Sequence, residues 1–252
     1  MNSQEIIPAW KRRTILLLTE DKYKSIEHTP GKREILGHPE ILVYRIDDFY
    51  KIKSQYKILG GERPVPDMLL VISPFDDNAY AEVSQAKEIM ALEKWLLIIN
   101  FCQLLGAKSV NQKYTKLYDR DSEKELIIDF TKDIIKGKLS GKKRELRDLS
   151  NKMRLSGKFQ GTTNRDIEGA EALLNNNNLQ GEIIMQNLLA SVKASNNPPK
   201  LISHEFTLSE SVQKTFELTA ELLSPISSIG FNYNALVKEN IEIKTGLEIE
   251  FP

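Results

Sequence analysis

"MALEKWLLIINFCQLLGAKSV", residues 90–110, is the most apolar run in the chain and holds its only cysteine, Cys102. A membrane span needs about 20 mostly uncharged residues. Glu93, Lys94, Asn100 and Gln103 interrupt a shorter run here, so the stretch reads as a buried helix instead. Upstream, Asp76, Asp77 and Asn78 follow Ser73-Pro74 and are all N-cap residue types, so the helix is expected to start there and run to Gly106. Its first half repeats apolar residues at Val83, Ala86, Met90 and Trp95, with Glu82, Lys87 and Glu88 assigned to water. Its second half is apolar on nearly every side, which predicts packing in the interior. "GAKSV" then reads as a glycine C-cap leading straight into a strand, "SVNQKYTKLY".

Toward the N-terminus, "TILLLTED", "EILVYRIDD" and "DMLLVISPFDD" are short aliphatic runs without polar alternation. Strands buried on both faces have this pattern, as in a parallel sheet covered by helices. Between the second and third, Phe49, Ile52, Tyr56 and Leu59 are spaced by three, four and three, predicting a helix over 49–59 that Gly60-Gly61 ends.

Beyond Asp119 the chain is strongly charged with short apolar clusters. A helix is expected over about 141–152, then a strand in "KMRLSGKFQG", then two helices parted by Asn175–Asn178. The second of these helices carries Leu179, Ile183, Leu188 and Val192 toward one face. In "ISHEFTLSESVQKTFELTAELLSP" both periods fit; the favoured reading is a strand to Leu208 followed by a helix capped by Ser209. "IEIKTGLEIEF" alternates throughout, either as a hairpin turning at Lys244-Thr245-Gly246 or as one long strand. The fold class expected is therefore α+β. Residues 1–118 are expected to form an α/β-like region of short parallel strands with a long buried helix, and residues 119–252 a mixed helical and antiparallel region with a C-terminal antiparallel hairpin, with one continuous domain as the alternative to two.

Thirty-five basic and thirty-five acidic residues cancel, so no global field selects nucleic acid or an acidic membrane. One cysteine cannot form an internal disulfide, and a reducing, cytoplasmic location is expected. The best constellation for chemistry is three strand-like runs that each end in two acids: Glu20-Asp21, Asp47-Asp48 and Asp76-Asp77. Were the three strands parallel and adjacent, these acids would share the carboxyl edge of the sheet, where Asp21, Asp48 and Asp77 are the donors a magnesium ion would use. The plainer account is that acids follow strands because they cap the next helix and favour its positive end.

The basic stretch 136–158 makes Lys142, Lys143, Arg144 and Arg147 the candidate anion-binding residues. "GKLSGKK" has the wrong glycine spacing for a phosphate loop, and the stretch lacks the interleaved aromatics of a nucleic-acid surface. A solvated basic helix and loop is the plainer account. His28, His38 and His204 form no metal or triad motif. Cys102 reads as a small core residue, because apolar packing in mid-helix raises a thiol's pKa. The expectation is an intracellular binding or assembly module whose partner is another protein or a second copy of itself. The alternatives are a magnesium-dependent phosphate-transfer or hydrolytic enzyme built on the acidic strand ends, and a membrane-active effector using the amphipathic strands.

Overall fold

The computed structural model describes residues 14–60, 63–119, 123–132, 134–137, 157–159, 161, 164–194, 200–224 and 241–252. The class is α+β, with one mixed and one antiparallel sheet. The chain divides into two compact units: Met1–Ile89 with Ser211–Glu239, and Met90–Glu210 with Asn240–Pro252.

In the first unit the three aliphatic runs form β1 (Thr14–Leu18), β2 (Ile41–Arg45) and β4 (Met68–Ile72); β3 (Lys57–Leu59) and β5 (Ala79–Glu82) complete a sheet ordered β2-β1-β4-β5-β3. Helices α1 (Glu20–His28), α2 (Pro30–Arg33) and α3 (Phe49–Gln55) fill the connections. Every residue of β1 and β4 is buried, which accounts for their lack of polar alternation. The pair β1/β2 is parallel, as is β3/β5, while β4 runs antiparallel to both β1 and β5. One face of the sheet, with Ile15, Leu17, Met68, Leu70, Ile72 and Tyr80, packs with Phe49, Ile52 and Tyr56.

Two boundaries differ from the sequence reading for one reason. The helix expected over 49–59 stops at Gln55, and Lys57–Leu59 pair with β5. Tyr56 and Ile58, two residues apart, are the ones that reach the core. Similarly, the long helix begins at Val83 instead of just after Asn78, because Ala79–Glu82 are recruited as β5. In both cases backbone pairing with a strand distant in sequence overrides a locally acceptable helical pattern.

The long helix is α4 (Val83–Leu104), which spans the division between the units. Its buried residues form a regular stripe: Val83, Ala86, Met90, Ala91, Trp95, Ile98, Phe101 and Cys102. Lys87 and Lys94 lie in that stripe too, at 3% and 0% exposure, while Leu96 is 48% exposed. The assignment of Lys87 to water is therefore corrected: helical period outranks residue type. Lys87 donates to Gln213 at 3.0 Å, and its ammonium sits 6.0 Å from the Phe216 ring centre. Lys94 is fully buried, ion-paired with Glu182, and donates to the Thr207 carbonyl at 2.8 Å. The helix ends as read. Gly106 adopts φ +87°, its N–H bonds the Gln103 carbonyl, and the Ala107 N–H bonds that of Cys102, the paired closure of a Schellman motif.

In the second unit β6 (Ser109–Asp119), β7 (Lys124–Asp129) and β8 (Ile134–Gly137) form an antiparallel meander, and β9 (Gly157–Lys158) pairs with the start of β6. Helices α5 (Ile167–Asn176) and α6 (Ile183–Ala194) flank the asparagine run as expected. The apolar face of α6 is Met185, Leu188, Leu189 and Val192; Ile183 is 73% exposed and does not belong to it. Then come β10 (Leu201–Thr207), α7 (Glu210–Leu223) and β11 (Ile241–Glu250), giving the order β10-β11-β6-β7-β8. The strand-then-helix reading of 202–223 holds, and 241–250 are one long strand rather than a hairpin. Ser209 accepts the Ile243 N–H at 2.8 Å. The helix expected over 141–152 lies outside the described residues. Among the described residues no helix is long and apolar enough to cross a membrane.

Candidate functional site

The acidic strand ends do not converge. Because β2 runs parallel to β1, Asp21 and Asp48 follow strand ends at the same edge of the sheet. β4 runs the other way, so Asp76 and Asp77 emerge at the opposite edge, and the premise of three parallel strands fails. The carboxylate that comes third at the first edge is Asp67, which precedes β4. It has φ +62°, takes Lys22 on Oδ2 at 2.7 Å, and has a buried Oδ1 without a hydrogen-bond partner among the described residues.

Three of the strand-end acids are engaged by cations. Glu20 meets Arg45 at 3.1 Å and Lys24 at 3.2 Å, Asp48 meets Lys51 at 2.6 Å, and Asp76 meets Lys57 at 3.3 Å. Among the described residues no group of three or more His, Cys, Asp or Glu is placed to hold a metal ion. Asp21, Asp48 and Asp77 are thus not brought together. Lys142, Lys143, Arg144 and Arg147 lie outside the described residues. Cys102 is fully buried, and burial pushes its thiol pKa up to about 12, so it is no nucleophile.

An extended side-chain network lies on the antiparallel sheet. One face of that sheet is buried, with Val110, Leu117, Leu126, Ile243, Leu247, Ile249 and Phe206. Between Tyr114 and Gln112 the register with β11 shifts by one residue, leaving Lys113 as a bulge. Gln112 and Thr115 therefore both turn to the buried side, where the Gln112 amide donates to the hydroxyls of Thr115 at 2.8 Å and Thr245 at 2.9 Å.

On the other face Tyr114, Gly246 and Glu205 stand in one row across β6, β11 and β10. The Tyr114 ring crosses the central strand over Gly246, and its hydroxyl donates to Glu205 Oε2 at 2.7 Å. A Cβ on residue 246 would lie 2.4 Å from the ring, so only glycine leaves room for this reach. Lys116, two residues on, donates to the same carboxylate oxygen at 2.8 Å and has its ammonium 4.8 Å from the Tyr114 ring centre. Around this row lie the ion pairs Lys113 with Glu248 at 2.8 Å, Lys244 with Glu242 at 3.0 Å, and Lys108 with Glu250 at 3.1 Å.

The network moves the titrations of its members. Burial alone raises the Glu205 carboxyl, but hydrogen bonds from Lys116 and Tyr114, with the charges of Lys116 and Lys244, outweigh it and hold the pKa below the ordinary value. Tyr114 is raised, first by burial and then by its bond to the Glu205 carboxylate. Lys116 is raised chiefly by its hydrogen bond to Glu205. At neutral pH the row is a carboxylate, an ammonium and a neutral phenol. A phenol and an ammonium held in their protonated forms are donors, not nucleophiles, so the arrangement suits recognition through hydrogen bonds.

Sequence reasoning found neither Tyr114, Lys116 nor Glu205 as functional candidates. Tyr114, Lys116 and Tyr118 alternate along one strand, but Glu205 joins them only through the pairing of β6 with β11 and of β11 with β10. Comparison with protein-family models, curated protein sequences and solved structures finds no match to this chain.

Proposed function

We propose that this chain works by binding, as an interaction or assembly module, and that the polar face of its antiparallel sheet is the contact surface. The observation that carries the reading is the Tyr114, Gly246, Glu205 row with Lys116. It is a half-exposed aromatic fixed in one orientation, surrounded by charges that are already compensated. A held tyrosine presents large contact area at small entropic cost, and tyrosine is enriched where protein surfaces meet. Locally paired charges let such a face lose water without leaving an isolated ion, the condition under which charged interfaces are tolerated. Tyr118, 36% exposed and two residues beyond Lys116, extends the same face.

The occupant best suited to a face with alternating cations and carboxylates is one with the same alternation, and a second copy of this chain provides it. Sedimentation velocity across a concentration series tests this. The wild type should show concentration-dependent association that Lys116→Glu weakens by placing like charge beside Glu205. Asn in place of both Asp48 and Asp77 should leave association unchanged. Association that survives Lys116→Glu, or that the Asp48/Asp77 double variant abolishes while still folded, overturns the assignment of the face.

A further inference from the structure

A second feature of the antiparallel unit, separate from the sheet-face reading, is a cleft of about 440 Å³ at the C-terminal end of α4. Asn100, Gln103 and Leu104 line it from the last turns of the helix, Ala107 from just past its cap, Phe159 and Gly161 from beyond β9, and Asn164 and Asp166 from the start of α5. Backbone bonds tie these walls together: Asp166 N–H to the Leu104 carbonyl at 2.9 Å, and Phe159 N–H to the Lys108 carbonyl at 2.8 Å. Its volume falls in the range of about 300–1,000 Å³ typical of small-molecule sites.

The chemistry of the lining selects among ligands. Three carboxamides and one carboxylate face a single aromatic ring, and no lysine or arginine is among these residues. Of the described side chains, Lys108 pairs with Glu250 at 3.1 Å and Arg165 donates to the Val192 carbonyl at 3.0 Å. The end of α4 brings the negative pole of a 22-residue helix and the start of α5 the positive pole of a 10-residue one, so the helix ends select neither sign of charge. The Asp166 carboxylate, with no lysine or arginine among the described lining residues, disfavours phosphates and carboxylates. A purely apolar ligand would cut the exposed Asn100 and Gln103 carboxamides off from water.

Each carboxamide sets a donor and an acceptor side by side, the complement of neighbouring hydroxyls, which also donate and accept. Asp166 is oriented by the Gly169 N–H, which donates to its Oδ1 at 2.8 Å, and its remaining lone pairs are acceptors for further O–H donors. One half-buried ring, Phe159, offers a platform on one side only, which suits a saturated ring better than a planar base held between two faces. We propose that this cleft binds an uncharged, hydroxyl-rich ligand of mono- to disaccharide size.

Saturation-transfer difference NMR with glucose, galactose, N-acetylglucosamine and their disaccharides, beside adenosine and inorganic phosphate, tests the proposal. Transfer to at least one saccharide is expected, with amide shifts at Ala107 and Gly161 in the wild type. Replacing both Asn100 and Gln103 with Ala, at exposed helical positions, should weaken that binding about tenfold or more. Silence from every saccharide, preference for adenosine or phosphate, unchanged affinity in the folded double variant, or wild-type shifts located away from the cleft would each overturn it.

Discussion

Lys94 gives the sharpest test of how this fold is held. Its side chain is fully buried, and its ammonium is satisfied by the Glu182 carboxylate and the Thr207 carbonyl. Replacing Glu182 with Ala leaves the cation buried with a carbonyl as its remaining partner in this trio. Breaking a buried ion pair from one side costs about 3–5 kcal/mol. The Glu182 side chain is 23% exposed, so water can reach the vacated position, and the lower end, about 3 kcal/mol, applies.

Lys94→Met behaves differently, because it removes the charge and keeps an unbranched chain of similar length. It removes the lysine's bond to the Thr207 carbonyl, a cost of about 1–3 kcal/mol, and leaves the Glu182 carboxylate, 23% exposed, to water, while relieving the desolvation of an ammonium. The Lys94→Met/Glu182→Ala double variant should therefore be more stable than Glu182→Ala alone, with a coupling of about 1–3 kcal/mol. Urea unfolding monitored at Trp95, next in sequence and fully buried, in a background with Trp10 replaced by Phe, measures all four corners of the cycle. Additive effects, or a Glu182→Ala cost below about 0.5 kcal/mol, the range of ordinary surface substitutions, would show that Lys94 is not held as an ion.

Gly246→Ala should cost about 1–3 kcal/mol by driving the Tyr114 ring off β11, and most of that cost should vanish in a Tyr114→Ala background, as read from chemical melts. The Glu205 network should show two pH limits. The depressed carboxyl contributes stability that is present above its ordinary value of 4.5 and lost as pH falls through its lower folded value. The raised Tyr114 and Lys116 contribute stability present below their ordinary values of 10.0 and 10.5 and lost as pH rises through the folded ones. The stability difference between wild type and Glu205→Gln should accordingly be flat near neutrality and shrink in acid; a difference unchanged through the acid range would refute the network. Cys102 should resist a thiol reagent in the native protein and react fully in denaturant, and Cys102→Asp should fail to fold before any binding is altered; native-state labelling at the denatured rate would contradict its burial.

The central helix and its ending were legible in residues 90–110, because a broken apolar run and a glycine cap are local facts about side chains and φ. The aliphatic runs of β1 and β4 were equally legible, since strands buried on both faces leave no room for polar alternation; β2, the half-buried edge strand, was legible from its aliphatic run alone. Strand direction was not, and it decided the chemistry: parallel and antiparallel strands carry the same side chains, yet the reversal of β4 puts Asp67 where Asp77 was expected. Lys87 and Lys94 show a related limit. Composition places lysine in water, while helical period places these two in the interior, and only partners such as Gln213, Glu182 and Thr207 make burial affordable.

Gly246 makes the same point in the candidate surface. The sequence by itself determined that 241–251 alternate, that the middle of this stretch holds a glycine, and that Tyr114 and Lys116 share one side of their strand. Only the tertiary structure decided that the glycine is a passage instead of a turn. That outcome depends on which strands lie on either side of β11 and in what register, and those long-range pairings leave no periodic signature in any one segment.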